Sequence, residues 1–304
     1  MPEKKIKSFN FYQKQIYNRI NNYLLTFLNK LPLVNSKLIE VIKYGTLLGG
    51  KRLRPFLTYA VGSMFGISKK KLDAPAAAVE CIHAYSLIHD DLPSMDNDFQ
   101  RRNKPACHIK YGEGISILAG DSLQALAFHL LSTAQISNIN NMDRIKMISE
   151  LAQASGIIGM CGGQSLDLYT KNKNINYEQL KYIYKHKTVA LIRAAVRLGA
   201  YAAGSISNKL IPILDKYSES FGLAFQIQDD ILDFLYDKNK ITKKQQYNFK
   251  NYKCTNITKL ESKLSKKIHE LYQDALLTLE TIQSYSYNTN MLKAITNFVI
   301  KHKN

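Results

Sequence analysis

Apolar residues recur along this chain at the spacing of an α-helix from one end to the other. Between Phe9 and Leu31, the residues Phe11, Ile16, Ile20, Leu24 and Leu28 form one stripe that Pro32 ends, so the spacing predicts a packing helix. A second helix is expected from Ser36 to Leu48. It runs into Gly49-Gly50-Lys51-Arg52-Leu53-Arg54-Pro55, with Pro55 opening a helix that continues to Phe65. A loop is expected at Ser68 to Asp73, then an Ala-rich helix start at Pro75 to Glu80 that continues from Cys81 to Asp91. Ile115 to Leu131 is apolar nearly all round and belongs in a core or a subunit interface, which leaves Asp121 in need of a buried partner. Further helices are expected over Arg144 to Met160, ending at Gly162-Gly163-Gln164, over Tyr177 to Gly204, and from Pro212 through Asp237. Glu261 to Leu279 and Asn290 to His302 close the chain. No stretch alternates convincingly in the manner of a strand, so an all-α fold in one domain, residues 1–304, is expected.

Composition changes this picture only at the margins. With 304 residues and 45% apolar content the chain can build a proper core. A formal charge of +18, from 42 Lys+Arg against 24 Asp+Glu, invites a nucleic-acid or membrane-surface reading. The lysines are spread over Lys4 to Lys7, Lys69 to Lys71, Lys171 to Lys185 and Lys238 to Lys267 and form no single stripe. That argues against nucleic acid, and the same field would favour a small anionic substrate. Cysteines 81, 107, 161 and 254 form no CxxC pair, which fits a reducing cytoplasm. The start of the chain is polar and basic, and no apolar run reaches the length of a membrane span without a charge. A soluble cytoplasmic protein is therefore expected.

The chemistry concentrates in Cys81 to Arg102. Read as a helix, this stretch sets His83 and Asp90 on one face, and Pro93 then hands Asp96 to a loop that can fold it back. Carboxylates this dense repel one another unless a divalent ion neutralises them, and oxygen ligands suit Mg²⁺. Arg101 and Arg102 add fixed forks that suit phosphate. Taken alone, a DD pair is more often a solvated acidic turn, and GGKR alone more often a helix end with solvated cations. Later, Lys187 and Thr188 stand where a polar helix turn meets an apolar one, with Lys187 either a surface residue or a cation facing a cavity. In FGLAFQIQDDILDFLYD, residues Gln226, Asp229, Asp230, Asp233 and Asp237 recur at threes and fours as an acidic stripe that a cation would relieve. Lys238 to Lys259 is read as a mobile or semi-ordered loop whose Lys243, Lys244 and Lys253 could reach a phosphate.

Together, DDLPSMD, DDILD, the GGKRxRP cluster, the Arg pair and Lys-Thr resemble the trans-isoprenyl diphosphate synthase family, and within it the bacterial farnesyl diphosphate synthases (geranyltranstransferases). The resemblance runs from about Gly49 to Asp237 and implies an isoprenoid synthase fold: a helical bundle around a central cavity, the two aspartate motifs facing each other, usually as a homodimer. It implies an allylic diphosphate held through Mg²⁺, roughly two or three ions per subunit, by Asp90, Asp96 and Asp229 with Asp91, Asp230 and Asp233 in support. Arg101, Lys187, Lys243 and Lys253 would touch the same diphosphate, and Lys51, Arg54, His83 and Arg102 would grip isopentenyl diphosphate. Thr188, Gln226 and the Lys187 carbonyl would ease an allylic cation, and Tyr85 would form the floor that sets chain length. The expected reaction is condensation to farnesyl diphosphate; synthases of C10 or C20 products are the nearest rivals, and a non-catalytic basic binding or regulatory subunit of the same fold is the distant one. One departure from the pattern is the Thr242-Lys243 and Tyr252-Lys253 pairs, which stand where glycine precedes each lysine, with Asn248 where an acid is common. This bears on loop closure.

Overall fold

The computed structural model describes residues 9–32, 36–136, 139–171, 173, 175–239 and 257–301. Helices α1 (Phe9–Asn29), α2 (Lys37–Leu47), α3 (Leu53–Met64) and α4 (Lys69–Asp90) are followed by a two-residue ribbon, β1 (Gln100–Arg101) antiparallel to β2 (Lys104–Pro105). Then come α5 (Cys107–Tyr111), α6 (Glu113–Thr133), α7 (Asn141–Ser155), α8 (Met160–Thr170) and α9 (Tyr177–Tyr184). A π turn (Lys185–Val189) leads into α10 (Ala190–Tyr201), and a 3₁₀ turn (Gly204–Ser207) precedes α11 (Ile211–Asn239), α12 (Ile257–Ser284) and α13 (Asn290–Lys301). The all-α reading holds.

The chain forms two compact units, one from Asn10–Ser149 with Leu198–Ser207, the other from Met1–Phe9, Glu150–Arg197 and Asn208–Asn304. In the first, α4 packs on α3, α2 and α6, and its burial explains a start earlier than the local sequence suggests. Ser68 to Asp73 is not a loop: Leu72 fills a notch at Gly62, where a Cβ would lie 2.3 Å from its Cδ2. Asp73 is held by Arg19 at 2.6 Å and by the Tyr59 hydroxyl at 2.5 Å. These contacts outweigh the one helical bond that Pro75 forgoes inside α4. In the second unit Tyr217 and Phe221 stack at 5.6 Å, and Gln228 accepts from the Tyr272 hydroxyl while donating to the Val299 carbonyl, tying α11 to α12 and α13.

Other boundaries also shift for physical reasons. The helix expected over Arg144 to Met160 stops at Ser155, since Gly156 and Gly159 leave the helical path, and Gly162-Gly163-Gln164 lies inside α8 instead of ending a helix. Helix α6 is long and apolar enough to cross a membrane by composition alone, but its inner face packs on α4, α2 and α5. It is not buried all round: Ile117 and Leu118 are 42% and 53% exposed. Asp121 needs no buried partner, because its side chain is 60% exposed and lies 3.9 Å from His89. The expected loop over Lys238 to Lys259 falls mostly outside the described residues, with α11 ending at Asn239 and α12 beginning at Ile257.

Ahead of α3, Arg52 takes a left-handed conformation (φ 52°), which turns its side chain into the first unit. There its guanidinium donates to Glu80 Oε1, to Asn21 Oδ1 at 3.0 Å and to the Thr46 carbonyl at 2.7 Å, with both members of the Arg52–Glu80 pair buried. Removing one member leaves the other charge desolvated. Glu80→Ala is expected to cost about 3–5 kcal/mol, read as the loss of unfolding free energy in urea.

Candidate functional site

Consecutive residues on a helix point about 100° apart, so the two carboxylates of a DD pair cannot face the same way. At the end of α4, Asp90 is half-buried while Asp91 turns inward, 2% exposed, and is clasped by Arg101 through Nε at 3.0 Å and through Nη2. Burial pushes the Asp91 carboxyl up, against the pull of Arg101. After Pro93 the chain doubles back as its sequence implies: the Asp96 amide donates to the Asp90 carbonyl at 2.9 Å and the Asp98 amide to the Asp91 carbonyl at 3.1 Å. Asp96 therefore returns to Asp90 through the backbone. Arg102 and Asn103, both at positive φ (54° and 60°), form the tight turn of the ribbon and send the two arginines to different tasks.

Arg102 reaches the Gly49 carbonyl through Nη1. A Cβ on Gly50 would lie 2.4 Å from its guanidinium, so glycine lets the Gly49-Gly50-Lys51 backbone rest on that group. His83, about two turns before the helix end at Asp90, sits in the same neighbourhood. Its imidazole is held well below its ordinary range, by burial first and then by the charges of Arg54, Arg102, Arg52 and Arg101. The Arg102 guanidinium is likewise lowered, by burial and by Arg52. Here the sequence-predicted cluster of His83, Arg54 and Arg102 is brought together, with exposed Lys51 at its edge. Tyr85 is buried and meets His89 edge-on at 5.7 Å, while His89 Nε2 lies 3.1 Å from the Ile117 carbonyl of α6.

In the other unit, the π turn inserts one residue between α9 and α10, at the Lys187-Thr188 step. Gly163 of α8 presses on it: a Cβ there would lie 2.1 Å from the Lys187 nitrogen. Lys187 Nζ bonds Asp167 Oδ2 at 2.6 Å, so this lysine is partly covered and paired across to α8. Thr188 Oγ donates to Gln226 Oε1 at 2.7 Å, and Gln226 Nε2 donates to Asp230 Oδ1 at 2.7 Å. The Tyr184 hydroxyl completes the set by donating to Asp230 Oδ2. Tyr184 escaped the sequence reading although it stands four residues before Thr188; a buried hydroxyl on a helix whose apolar period is otherwise ordinary leaves no mark. Asp229 is exposed, whereas burial drives the Asp230 carboxyl up from 3.8 to about 7 against its two hydrogen bonds. The acidic stripe is thus split between an outward and an inward member.

Among the described residues no three His, Cys, Asp or Glu side chains stand ready-made around one ion. Asp90 and Asp96, half-buried in the first unit, and Asp229, exposed in the second, carry hard carboxylate oxygens of the kind that suit a divalent cation; Asp91 is held by Arg101, and Asp230 by Tyr184 and Gln226. The side chain of Asp233 and all of Lys243 and Lys253 lie outside the described residues.

Residues 35–286 match the sequence pattern described as polyprenyl synthetase. The farnesyl diphosphate synthase of Escherichia coli is 53% identical over 282 residues, covering 92% of this chain and 94% of that protein. That of Haemophilus influenzae is 44% identical over 292 residues, covering 95% and 97%. A crystal structure of a geranyltransferase from Legionella pneumophila superposes with a TM-score of 0.82 at 34% identity, over 97% of this chain and 98% of that one.

The buried Asp230 carboxyl supplies a pH test. Between 3.8 and about 7 the folded metal-free protein holds a proton there that the unfolded chain has lost. The stabilisation is complete below 3.8 and disappears as pH rises through 7. The carboxyl ¹³C shift of Asp230 is expected to titrate near 7, and Tyr184→Phe, which removes a donor to the charged form, is expected to move the midpoint higher.

Proposed function

The chain belongs to the polyprenyl synthetase family, and from that premise we propose that it condenses isopentenyl diphosphate with dimethylallyl or geranyl diphosphate to give farnesyl diphosphate and free diphosphate. Relatives named farnesyl diphosphate synthase match it over nearly its full length. The observation that carries the reading is the gathering of Arg54 and Arg102 about His83, next to Arg52, which Glu80 pairs, and Arg101, which Asp91 pairs. Like charges this close are costly, and a diphosphate relieves the cost while a neutral ligand does not.

Isopentenyl diphosphate is accordingly assigned to Lys51, Arg54, His83 and Arg102, with the neutral imidazole able to donate an N–H without adding a further charge. The allylic diphosphate is assigned to Arg101 and Lys187, with Lys243 and Lys253 as further contacts. Asp90, Asp96 and Asp229 would hold Mg²⁺, supported by Asp91, Asp230 and Asp233; when bound, the ion screens charge that develops on the leaving diphosphate. As the allylic C–O bond breaks, the oxygens of Thr188 and Gln226 and the Lys187 carbonyl face positive charge. The isopentenyl double bond attacks, and the departing diphosphate takes the proton. No covalent enzyme intermediate is required.

Tyr85 is proposed as the floor that stops the growing chain, since its ring is buried and held edge-on by His89 about 7.5 Å along α4 from Asp90. We further propose one domain over residues 1–304, because the family match runs through both units, and a cytoplasmic setting. A homodimer is proposed through α6 and α7, where Ile117, Leu118, Met142 and Ile145 are all exposed and monomer surfaces seldom carry such apolar stretches.

Incubation with Mg²⁺, isopentenyl diphosphate and dimethylallyl diphosphate is expected to yield a C15 product on sizing, and diphosphate release without a C15 product counts against the assignment. Tyr85→Ala is expected to shift the product to C20 or longer, and an unchanged C15 product removes Tyr85 from the floor. Leu118→Lys is expected to convert the dimer to monomer at micromolar concentration, read by sedimentation velocity.

A further inference from the structure

The hydrogen bonds linking Tyr184, Asp230, Gln226 and Thr188 have a direction, set by the acceptor-only carboxylate of Asp230, and Tyr184 anchors that carboxylate. Asp230 Oδ2 accepts from the Tyr184 hydroxyl, which leaves Oδ1 as the acceptor for the Gln226 amide NH₂ at 2.7 Å. An amide has one nitrogen end and one oxygen end, so Gln226 Oε1 must then face Thr188 and accept its proton, also at 2.7 Å. With its single proton committed to Gln226, the Thr188 oxygen offers only lone pairs on its remaining side. Were the amide reversed, its NH₂ would meet Thr188 and the hydroxyl proton would be turned outward. A positive hydrogen would then stand where negative density is required.

The Asp230 carboxylate prevents that reversal, and Tyr184 is well placed to hold the carboxylate still. The tyrosine is buried, 6% exposed, and is the last residue of α9, immediately before the π turn that carries Thr188. Residues four apart share a helix face, and the extra residue in a π turn brings them nearer to alignment. Without its hydroxyl the Asp230 carboxylate loses one of its two hydrogen bonds and is freer to rotate, and the Gln226 amide that it orients is held less firmly against Thr188. We propose that Tyr184 is a positioning residue for prenyl transfer: by anchoring Asp230 it holds the Gln226 amide so that Thr188 presents oxygen lone pairs to the allylic cation. The proposal rests on the reading of Thr188 and Gln226 as cation-facing groups, given above. Tyr184 touches no substrate in this account and acts through Thr188 alone.

The test is a double-mutant cycle on the full chain with isopentenyl and geranyl diphosphates. Tyr184→Phe is expected to lower kcat about tenfold while KM for both substrates stays within about twofold. In a Thr188→Val background the same change is expected to have almost no further effect, because the group through which it acts is gone. An unchanged kcat in Tyr184→Phe overturns the proposal, as does an effect confined to KM or an equal loss of kcat in both backgrounds. A Thr188→Val protein that keeps full kcat overturns the cation-facing reading itself, and the proposal with it. Tyr184→His retains a ring N–H donor and is expected to keep kcat within about threefold. If the phenylalanine protein does not fold, this variant carries the test, and a loss as large as that of Thr188→Val overturns the proposal.

Discussion

Each DD pair in this protein is divided by the rotation of the helix that bears it. One carboxylate is carried inward, where it must be paired, and its neighbour is turned another way. In DDLPSMD the inward member, Asp91, is gripped by Arg101, and this contact together with the Asp98 amide bond to the Asp91 carbonyl pins the loop that returns Asp96. In DDILD the inward member, Asp230, receives the Tyr184 hydroxyl and the Gln226 amide. A carboxylate left without such partners in a desolvated place costs more than a hydrogen bond returns, so the anchors are conditions of the fold as well as of the site.

The basic side of the chemistry has the same structure. Near His83, burial first and then the neighbouring cations lower the imidazole and the Arg102 guanidinium, while Arg101, paired with Asp91, is raised. A polyanion reverses the sign of the cations' effect, so binding energy is stored in the arrangement before substrate arrives. Two glycines make the close approaches possible. Gly50 lets the loop backbone rest on the Arg102 guanidinium, and Gly163 lets α8 press on the Lys187 nitrogen. A side chain at either position would move a cation assigned to a diphosphate.

Residues with no part in the chemistry set the frame around it. Within the Lys51–Arg54 segment Arg52 forms a buried pair with Glu80, and His89 bridges Tyr85 to the Ile117 carbonyl of α6. Such contacts convert packing into position, which is what a reaction through a short-lived cation demands of its surroundings.

The helical period, the two aspartate motifs and the glycine-cation cluster were legible in the residues alone, because each is written in spacings shorter than a few turns. From them came the all-α fold and the return of Asp96 after Pro93, whereas the association of His83 with Arg54 and Arg102 was implied only by the resemblance that these motifs carry. Tertiary structure alone decided what depends on a neighbour distant in sequence. Helix α4 begins at Lys69 because Leu72 meets Gly62 and Asp73 meets Arg19 and Tyr59, 54 and 14 residues away, against a local signal that read as loop. Asp121 lies exposed because only one side of an apolar helix is covered. Which aspartate of each pair turns inward, and that Tyr184 holds one of them, follows from where Arg101 and α9 come to rest. No local pattern encodes that, since hydrogen bonds between side chains 46 residues apart exist only once the chain is folded.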